Sequence, residues 1–220
     1  MVDHNKLRNQ LMEGAIKAVS AYGLEGLTTR SIEQQCKLKD SYIYRYFEDK
    51  EDLLKKAFLR EDRAFVNTIE ANFAIMYDNS IDFKERCYSL WKPCWQYLVS
   101  RPDVCKFYVR YYYSTYFAQQ AISEHTDICK MLVAKFADAF PKNVNVNVVT
   151  HHLLEIMLNY GMKVSLGELE DSEETSNMIF DIIYTIVSRY INHNSDNMSF
   201  MKLYSIVKNW NIEENKNGRF

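Results

Sequence analysis

The sequence predicts an all-α protein with a small N-terminal three-helix domain and a larger helical domain. Apolar residues recur every three or four positions along most of the chain, which is the spacing of amphipathic helices. Residues 27–47 leave room only for two short helices and a turn. The chain has 220 residues, 47% of them hydrophobic, which suffices to bury a sizeable core. We expect residues 1–48 to form the small domain and residues 49–220 the larger one.

The first helix is predicted over residues 5–22 and ends at Gly23. Its role is to support the two short helices that follow. Its apolar residues at helical spacing are Leu7, Leu11, Ala15, Ala18, Val19 and Tyr22.

Residues 27–47 predict a helix-turn-helix. Thr28 and Thr29 supply a helix start, Lys37–Lys39 interrupts the pattern, and Asp40 can begin another helix. The inward-facing residues are then Ile32, Cys36, Ile43 and Phe47. The last helix keeps tyrosine and arginine on its outer faces. Two short helices at a steep angle with such a surface suit insertion into the DNA major groove.

Residues 15–54 resemble the N-terminal domain of TetR-type transcriptional repressors. The matching residues are Ala15, Ala18, Gly23, Leu27-Thr28-Thr29, Ile32, Leu38, Ile43-Tyr44, Tyr46-Phe47, Lys50 and Leu53. So many ordered matches over about forty residues are more specific than a single short motif. Beyond residue 54, the chain resembles the family only in length and helical character.

The resemblance implies DNA contacts from the start of the second helix and from the exposed face of the third. Carried over to this sequence, the DNA-binding residues are Thr29, Arg30, Lys39, Tyr42, Tyr44, Arg45 and Lys50. The two arginines can read guanine edges, while threonine, tyrosine and lysine can donate to phosphates. Packing within the small domain is the alternative role for Tyr46 and, less strongly, for Tyr44.

Three residues depart from the family pattern. Lys37 stands where the family usually has glycine in the turn, Lys39 where it has a capping serine, and Ser41 where glycine often lies in the third helix. A left-handed conformation at Lys37 would cost about 1–2 kcal/mol. We therefore expect the DNA contacts implied by the resemblance to be least accurate at residues 37–41.

The larger domain is predicted to begin with a long helix from the acidic turn at residues 48–52 to about Tyr77. A helix of this length can transmit a signal to the DNA-binding end. The next helix, over residues 83–98, contains Pro93, which predicts a kink unless the helix stops there. Pro102 suits the first turn of the helix after that.

The helix from about Asp103 carries aromatic residues on more than one face, as far as Phe117. Such a helix must be enclosed on several sides or line a cavity. We predict a pocket for a flat apolar or cationic small molecule, lined by Trp91, Trp95, Tyr108, Tyr112, Tyr116 and Phe117. An ordinary aromatic core is the alternative explanation for each of these residues.

Further helices are predicted over residues 122–140, 146–166 and 173–192, and a last short one holds Phe200, Leu203, Ile206 and Trp210. The helix over 173–192 is apolar over enough of its surface to pack on two sides, and Gly161 and Ser165 allow a neighbouring helix to approach the helix over 146–166 closely. We expect them to form a four-helix interface in a homodimer. The predicted interface residues are Leu154, Leu158, Gly161, Ser165, Ile179, Ile183, Ile186 and Tyr190.

Composition places few limits on function. The net charge is −2, and residues 1–60 hold 11 Lys+Arg against 9 Asp+Glu, so any DNA contact must be local. The five cysteines form no Cys-x-x-Cys pair, which indicates neither a disulfide framework nor a zinc knuckle. No signal peptide or transmembrane run is apparent. We expect a soluble, cytoplasmic protein without membrane partners.

The sequence has no phosphate loop, nucleophile elbow or paired-carboxylate motif, so we expect no enzyme activity and no cofactor. His125 and Cys129 are four residues apart on one predicted helix, but no carboxylate or cysteine companion is in register, so we expect no metal site. The favoured function is a ligand-responsive repressor that binds a near-palindromic operator as a dimer. The alternative is a metal- or ligand-dependent sensor or interaction protein without DNA specificity. A metal-dependent sensor would require His125, Cys129 or His151 to converge.

Overall fold

A computed structural model describes residues 4–137 and 139–191. This part of the chain contains helices and no strand. The helices are α1 (His4–Tyr22), α2 (Thr29–Cys36), α3 (Ile43–Tyr46), α4 (Lys50–Asn72), α5 (Phe83–Val99), α6 (Pro102–Tyr112), α7 (Ile122–Ala137), α8 (Val146–Ser165) and α9 (Glu173–Val187). The all-α prediction is confirmed. The predicted short helix with Phe200 and Trp210 lies outside the described residues.

The first two N-terminal helices form where the sequence predicts them, and the third lies within its predicted segment. Helix α1 ends at Gly23, whose φ of 73° lies in the left-handed region that favours glycine. Helix α2 packs against α1, and both α1 and α3 contact α4. The side chains that fill this part of the core are Leu11, Ala15, Ile16, Val19, Ile32, Ile43, Phe47, Leu53 and Leu54.

Helix α4 is the element that connects the N-terminal helices with the others. It has 23 residues, so it is about 35 Å long, and it contacts α1, α3, α5, α6 and α7. Its Asp49 N-cap accepts a hydrogen bond from the Asp52 backbone at 2.7 Å. The α-helix ends at Asn72, and a 3₁₀ segment continues it over Phe73–Tyr77.

Helices α5 and α6 differ in part from the prediction. Helix α5 continues through Pro93 without stopping, and Pro102 begins α6 as predicted. Helix α6 then ends at Tyr112, five residues before the predicted limit at Phe117. Phe117 instead begins a π-helical turn, Phe117–Ala121, that leads into α7. The predicted aromatic helix is therefore divided into two helical segments.

The remaining helices enclose an apolar core. Helix α8 packs on α5, α6 and α7, and α9 packs on α5 and α8. No helix in the described ranges is both long and apolar enough to cross a membrane. All five cysteines are free thiols in the structure.

Candidate nucleic-acid interface

A capping box fixes the start of α2. The Thr28 hydroxyl accepts from the Ser31 backbone at 3.0 Å, and the Ser31 hydroxyl accepts from the Thr28 backbone at 3.0 Å. The first turn of α2 then carries Thr29, which is half-buried, and Arg30, which is exposed. Backbone N–H groups at the N-terminus of a helix favour anions, so this turn is suited to a phosphate contact.

The turn after α2 adopts a left-handed conformation at Lys37. Lys37 has φ 57° and ψ 28°, and its backbone N–H donates to the Glu33 carbonyl at 2.8 Å. The Gln10 side chain donates to the Cys36 carbonyl at 2.7 Å, which ties the end of α2 to α1. A Cβ atom at Gly14 would lie 2.5 Å from the Cys36 Cβ atom, so α1 and α2 pack at a distance that only glycine allows.

The third helix is shorter than the pattern suggested. A 3₁₀ turn over Asp40–Tyr42 precedes the single α-helical turn of α3, and the side chain of Lys39 makes no cap hydrogen bond. Tyr44 is 62% exposed and Arg45 is exposed as well. These two side chains are therefore accessible on the outer face of α3.

Tyr42 and Tyr46 are half-buried and pack together. Their ring centroids are 6.5 Å apart with an interplanar angle of 8°. The Tyr46 hydroxyl also lies 3.0 Å from Nδ1 of His4 at the start of α1. These contacts support a packing role for Tyr46, in line with the alternative raised for it from the sequence.

The seven predicted DNA-binding residues therefore differ in exposure. Arg30, Lys39, Tyr44 and Arg45 are exposed, whereas Thr29, Tyr42 and Lys50 are half-buried. The Lys50 ammonium group donates to the Leu27 carbonyl at 3.2 Å, which braces the loop between α1 and α2. Gln34, which the sequence analysis did not single out, is also exposed, and its position four residues after Arg30 places it on the same face of α2.

A cavity of about 130 Å³ lies between α4, α5, α7, α8 and α9. Its lining is almost entirely apolar and includes Ile69, Leu90, Trp91, Phe136, Leu154, Met157, Phe180 and Ile183. Thr150 also lines this cavity and is 2% exposed. Its hydroxyl has no hydrogen-bond partner among the residues that the structure describes. A buried hydroxyl without a partner is unfavourable, and it offers a hydrogen bond to a molecule in the cavity.

Of the six predicted pocket residues, Trp91 alone is among those lining this cavity. Trp95 is buried and stacks on Trp91 with a centroid distance of 5.3 Å. Tyr108 and Tyr112 instead line a separate void of about 10 Å³. The ring centroids of Phe117 and Tyr112 are 4.5 Å apart, and Tyr116 is half-buried. The six residues therefore do not line one cavity: Trp91 and Trp95 stack within α5, whereas Tyr108, Tyr112 and Phe117 pack together beside the small void.

The small void adjoins a buried cluster of Asp62, His125 and Cys129. One oxygen of the Asp62 carboxylate accepts from the Tyr108 hydroxyl at 2.6 Å, and the other lies 2.9 Å from Nδ1 of His125. Burial, together with the nearby Asp62 carboxylate, raises the pKa of the Cys129 thiol to about 12. Burial and the same carboxylate also raise the pKa of Tyr108 far above its ordinary value, so its hydroxyl remains a donor. Asp62, the carboxylate companion of His125 and Cys129, was not predicted from the sequence.

The predicted dimer residues lie mostly inside the protomer. Leu158, Ile179 and Ile183 are buried, and Leu154 and Ser165 are half-buried. A Cβ atom at Gly161 would lie 3.2 Å from the Cys105 sulfur, so this glycine lets α8 approach α6 of its own chain. Ile186 and Tyr190 are exposed. The exposed apolar face of α9 consists of Met178, Ile182 and Ile186.

Comparisons with known proteins agree with this geometry. Residues 11–57 match the family model described as bacterial regulatory proteins, tetR family. An uncharacterized HTH-type transcriptional regulator of Haemophilus influenzae is 24% identical over 124 residues, which are 56% of this chain and 60% of that relative.

Two solved structures have a similar fold over most of the chain. A TetR family transcription regulator from Marinobacter aquaeolei VT8 has a TM-score of 0.69 at 15% identity, covering 86% of this chain and 97% of that chain. A tetR family transcription regulator from Shewanella sp. PV-4 has a TM-score of 0.66 at 16% identity, covering 84% and 98%. Residues 11–57 therefore match the tetR family model, and the described residues share the fold of these two solved structures.

Proposed function

We propose that the protein is a ligand-responsive transcriptional regulator that binds a near-palindromic DNA operator as a homodimer and acts as a repressor. The observation that carries this proposal is the exposed face of α2 and α3, within the segment that matches the family model. That face presents the cations Arg30, Lys37, Lys39 and Arg45 together with Tyr44. In this proposal residues 1–48 read DNA, and residues 49–220 bind the small molecule and the second protomer.

Each exposed side chain has a role that follows from its chemistry. Arg45 lies on the outer face of α3 and can donate two hydrogen bonds to a guanine in the major groove. Tyr44, beside it, and Lys39, in the preceding turn, are placed to donate to phosphates. Arg30 lies in the first turn of α2, where the helix dipole also favours a phosphate. Lys50 is half-buried and donates a hydrogen bond to the Leu27 carbonyl, so its role is to position this surface.

The test of DNA binding is selection of bound sequences from random duplex DNA at fixed salt concentration. We expect a near-palindromic site. For that site, the double variant Tyr44→Ala and Arg45→Ala should bind at least about 10-fold more weakly, because a bidentate arginine–guanine contact contributes roughly 1–3 kcal/mol.

A matched control changes an exposed cation and an exposed tyrosine elsewhere on the N-terminal helices. Lys17 and Tyr22 meet this condition on α1, and Lys17→Ala with Tyr22→Ala should leave the affinity unchanged. The proposal fails if no DNA sequence is enriched, which would favour the interaction-protein alternative. Equal affinities of the two double variants would show that α3 is not the reading element.

The exposed apolar face of α9 supports the homodimer. Met178, Ile182 and Ile186 are 60%, 46% and 44% exposed and lie four residues apart, on one face of the helix. If a two-fold axis passes through this face, the face contacts the same face of a second protomer. Helices α8 and α9 of the two protomers then form a four-helix arrangement. The interface proposed here thus keeps the predicted helices but uses a different face of α9.

The cavity supports a small apolar effector. Its volume of about 130 Å³ is close to that of an engineered cavity of about 150 Å³ that binds benzene. An effector of about this size with one hydrogen-bonding group fits, since the Thr150 hydroxyl is the buried polar group without a partner among the described lining residues. Effector binding would shift the population toward a conformer whose two reading helices do not match both half-sites.

Several contacts can carry that change to the DNA-binding end. Ile69 of α4 lines the cavity, and α4 runs about 28 Å from Ile69 to Lys50. Next to α4, Arg110 of α6 donates to the carbonyls of Val19 and Ser20 at the end of α1. The Ser20 hydroxyl donates to Asp103 of α6 at 2.6 Å. A movement of α4 or α6 would therefore move α1 and the reading helices.

The variant Thr150→Val tests the cavity. In the ligand-free protein it should raise the free energy of unfolding by about 1 kcal/mol, because it replaces a buried hydroxyl without a partner by a methyl group of similar size. We expect single-ring aromatic compounds to raise the melting temperature of the native protein. Compounds with a hydroxyl group should bind at least about fivefold more weakly to Thr150→Val, and those without one should bind equally well to both proteins.

Tyr112→Phe provides the control, because Tyr112 lines the small void and not the cavity. Hits that lose their effect in Tyr112→Phe and keep it in Thr150→Val would move the effector site to the void.

A further inference from the structure

Three side chains of different donor types converge at the centre of the larger helical part. The ligand atoms of Asp62, His125 and Cys129 all lie within 4.8 Å of one another, and all three residues are buried. Asp62 comes from α4, whereas His125 and Cys129 come from successive turns of α7. We propose that these residues bind a Zn²⁺ ion, with His151 of α8 as the fourth ligand.

The distances suit a tetrahedral zinc site. Zinc bonds of roughly 2.0–2.3 Å at the tetrahedral angle place the ligand atoms roughly 3.3–3.7 Å apart. In the structure the Asp62 oxygen is 2.9 Å from Nδ1 of His125, and the Cys129 sulfur is 3.9 Å from the same nitrogen. These two values bracket the range, and the Asp62 oxygen and the Cys129 sulfur lie within 4.8 Å of each other, so small side-chain shifts bring the three atoms around one ion.

The donor set also matches the charge of the ion. A carboxylate and a thiolate carry two negative charges, and a neutral imidazole adds none, so the occupied site has no net charge. Charge balance matters here because Asp62 and His125 are 0% and 4% exposed, and an uncompensated charge at this depth is strongly unfavourable. Binding replaces the proton of the Cys129 thiol, which is released to solvent as the zinc–sulfur bond forms.

An outer hydrogen bond orients the carboxylate. The Tyr108 hydroxyl donates to one Asp62 oxygen at 2.6 Å and leaves the second oxygen directed at His125. Metal-binding carboxylates are commonly held in this way. The arrangement fixes the oxygen that faces the other two donors.

The void beside the cluster provides the fourth ligand and a path to solvent. It is lined by the three donors and also by His151 and Glu155, which are both exposed on α8. Its volume of about 10 Å³ is near that needed for one water molecule, and a zinc ion is smaller. Glu155 lies 3.3 Å from the Tyr113 hydroxyl, which acts as its donor, so His151 is the better candidate for the fourth position.

A buried Asp–His pair would explain two of the three residues but not the third. The Cys129 sulfur is 3.8 Å from Nε2 and 3.9 Å from Nδ1 of His125, and both distances are long for hydrogen bonds. Cys129 therefore adds little to the hydrogen-bonded network, although its sulfur lies beside it. A metal ion gives all three side chains a common role.

The test uses the full chain after removal of metal with a chelator. Zinc should rebind at one ion per chain in competition with a chromophoric chelator. Cobalt(II) should give the intense visible bands of a four-coordinate site and a thiolate-to-cobalt charge-transfer band. Cys129→Ala should remove the charge-transfer band and weaken zinc binding by more than about 100-fold, beyond the 10- to 100-fold loss typical for an outer-shell partner.

Two matched pairs complete the test. Cys94 is a buried cysteine outside the cluster, and Cys94→Ala should keep the native cobalt spectrum and zinc affinity. His152 adjoins His151 and is also exposed, so His151→Ala should weaken zinc binding at least about 10-fold while His152→Ala leaves it unchanged.

Absence of one-to-one binding in the native chain would overturn the proposal. Binding that is equally strong in Cys129→Ala and Cys94→Ala would also overturn it, since the metal would then bind elsewhere. Because metal content and spectra are measured without DNA, the outcome is independent of the proposed operator binding.

Discussion

Replacing Asp62 with alanine is expected to lower the free energy of unfolding by about 3–5 kcal/mol, which combines the loss of a buried hydrogen-bond acceptor with the cost of the cavity left behind. The Asp62 carboxylate is 0% exposed. One of its oxygens accepts from the Tyr108 hydroxyl at 2.6 Å, and the other lies 2.9 Å from Nδ1 of His125. Alanine would leave both buried groups without this acceptor and would add a cavity at the meeting point of α4, α6 and α7. Urea denaturation followed by circular dichroism, with chelator present throughout, measures the loss without any metal contribution.

Two further variants identify the cause of that loss. Asp62→Asn keeps an oxygen for Tyr108 and nearly the same volume, so it should cost clearly less than alanine. Asp127 of α7 is exposed, and Asp127→Ala should change the free energy of unfolding by less than about 0.5 kcal/mol. If Asp62→Ala cost less than about 1 kcal/mol, the network would not be a stabilising element of this core.

The N-terminal helices could be predicted from sequence because their signals are local. The Thr28 cap, the inward spacing of Ile32 and Cys36, and the break at Lys37 all lie within ten residues of one another, and each is found in the structure. The same applies to the stop at Gly23 and the start at Pro102. Caps and breaks determine where a helix begins and ends, whatever packs on it.

The buried cluster could not be predicted in full because its residues are far apart in sequence. Asp62 and His125 are 63 positions apart and meet only because α4 packs on α7. One local signal was nevertheless available. Asp62 lies four residues after Phe58 and three before Phe65, which are both buried, so helical spacing alone places this carboxylate inside.

The dimer face and the pocket were harder to predict from the sequence, for a different reason. Helices α8 and α9 are apolar on more than one face, and periodicity does not say which face packs within the chain. Ile179 and Ile183 turn inward toward α5 and α8, which leaves Ile182 and Ile186 outside. The predicted pocket residues likewise divide into two groups, the stacked Trp91 and Trp95 of α5 and the aromatic rings that pack around Tyr112.

The exposed face of α9 gives the second large effect that we expect. In the double variant Ile182→Glu and Ile186→Glu, two carboxylates would lie opposite their own copies across the two-fold axis. Desolvation of these charges and their mutual repulsion should dissociate the dimer. Sedimentation velocity at a fixed protein concentration should show the mass of the native chain as a dimer and that of the variant as a monomer.

Operator binding should fall with the dimer. Two linked modules bind a two-part site more tightly than one module by about 10²–10⁴-fold, so the monomeric variant should lose affinity of that order for the selected DNA site. Ile122 of α7 provides the control, because it is 51% exposed and lies outside α8 and α9. Ile122→Glu should stay dimeric and keep its affinity. A dimeric double variant would place the interface elsewhere, and a monomer with native operator affinity would mean that each protomer reads its DNA site independently of the other.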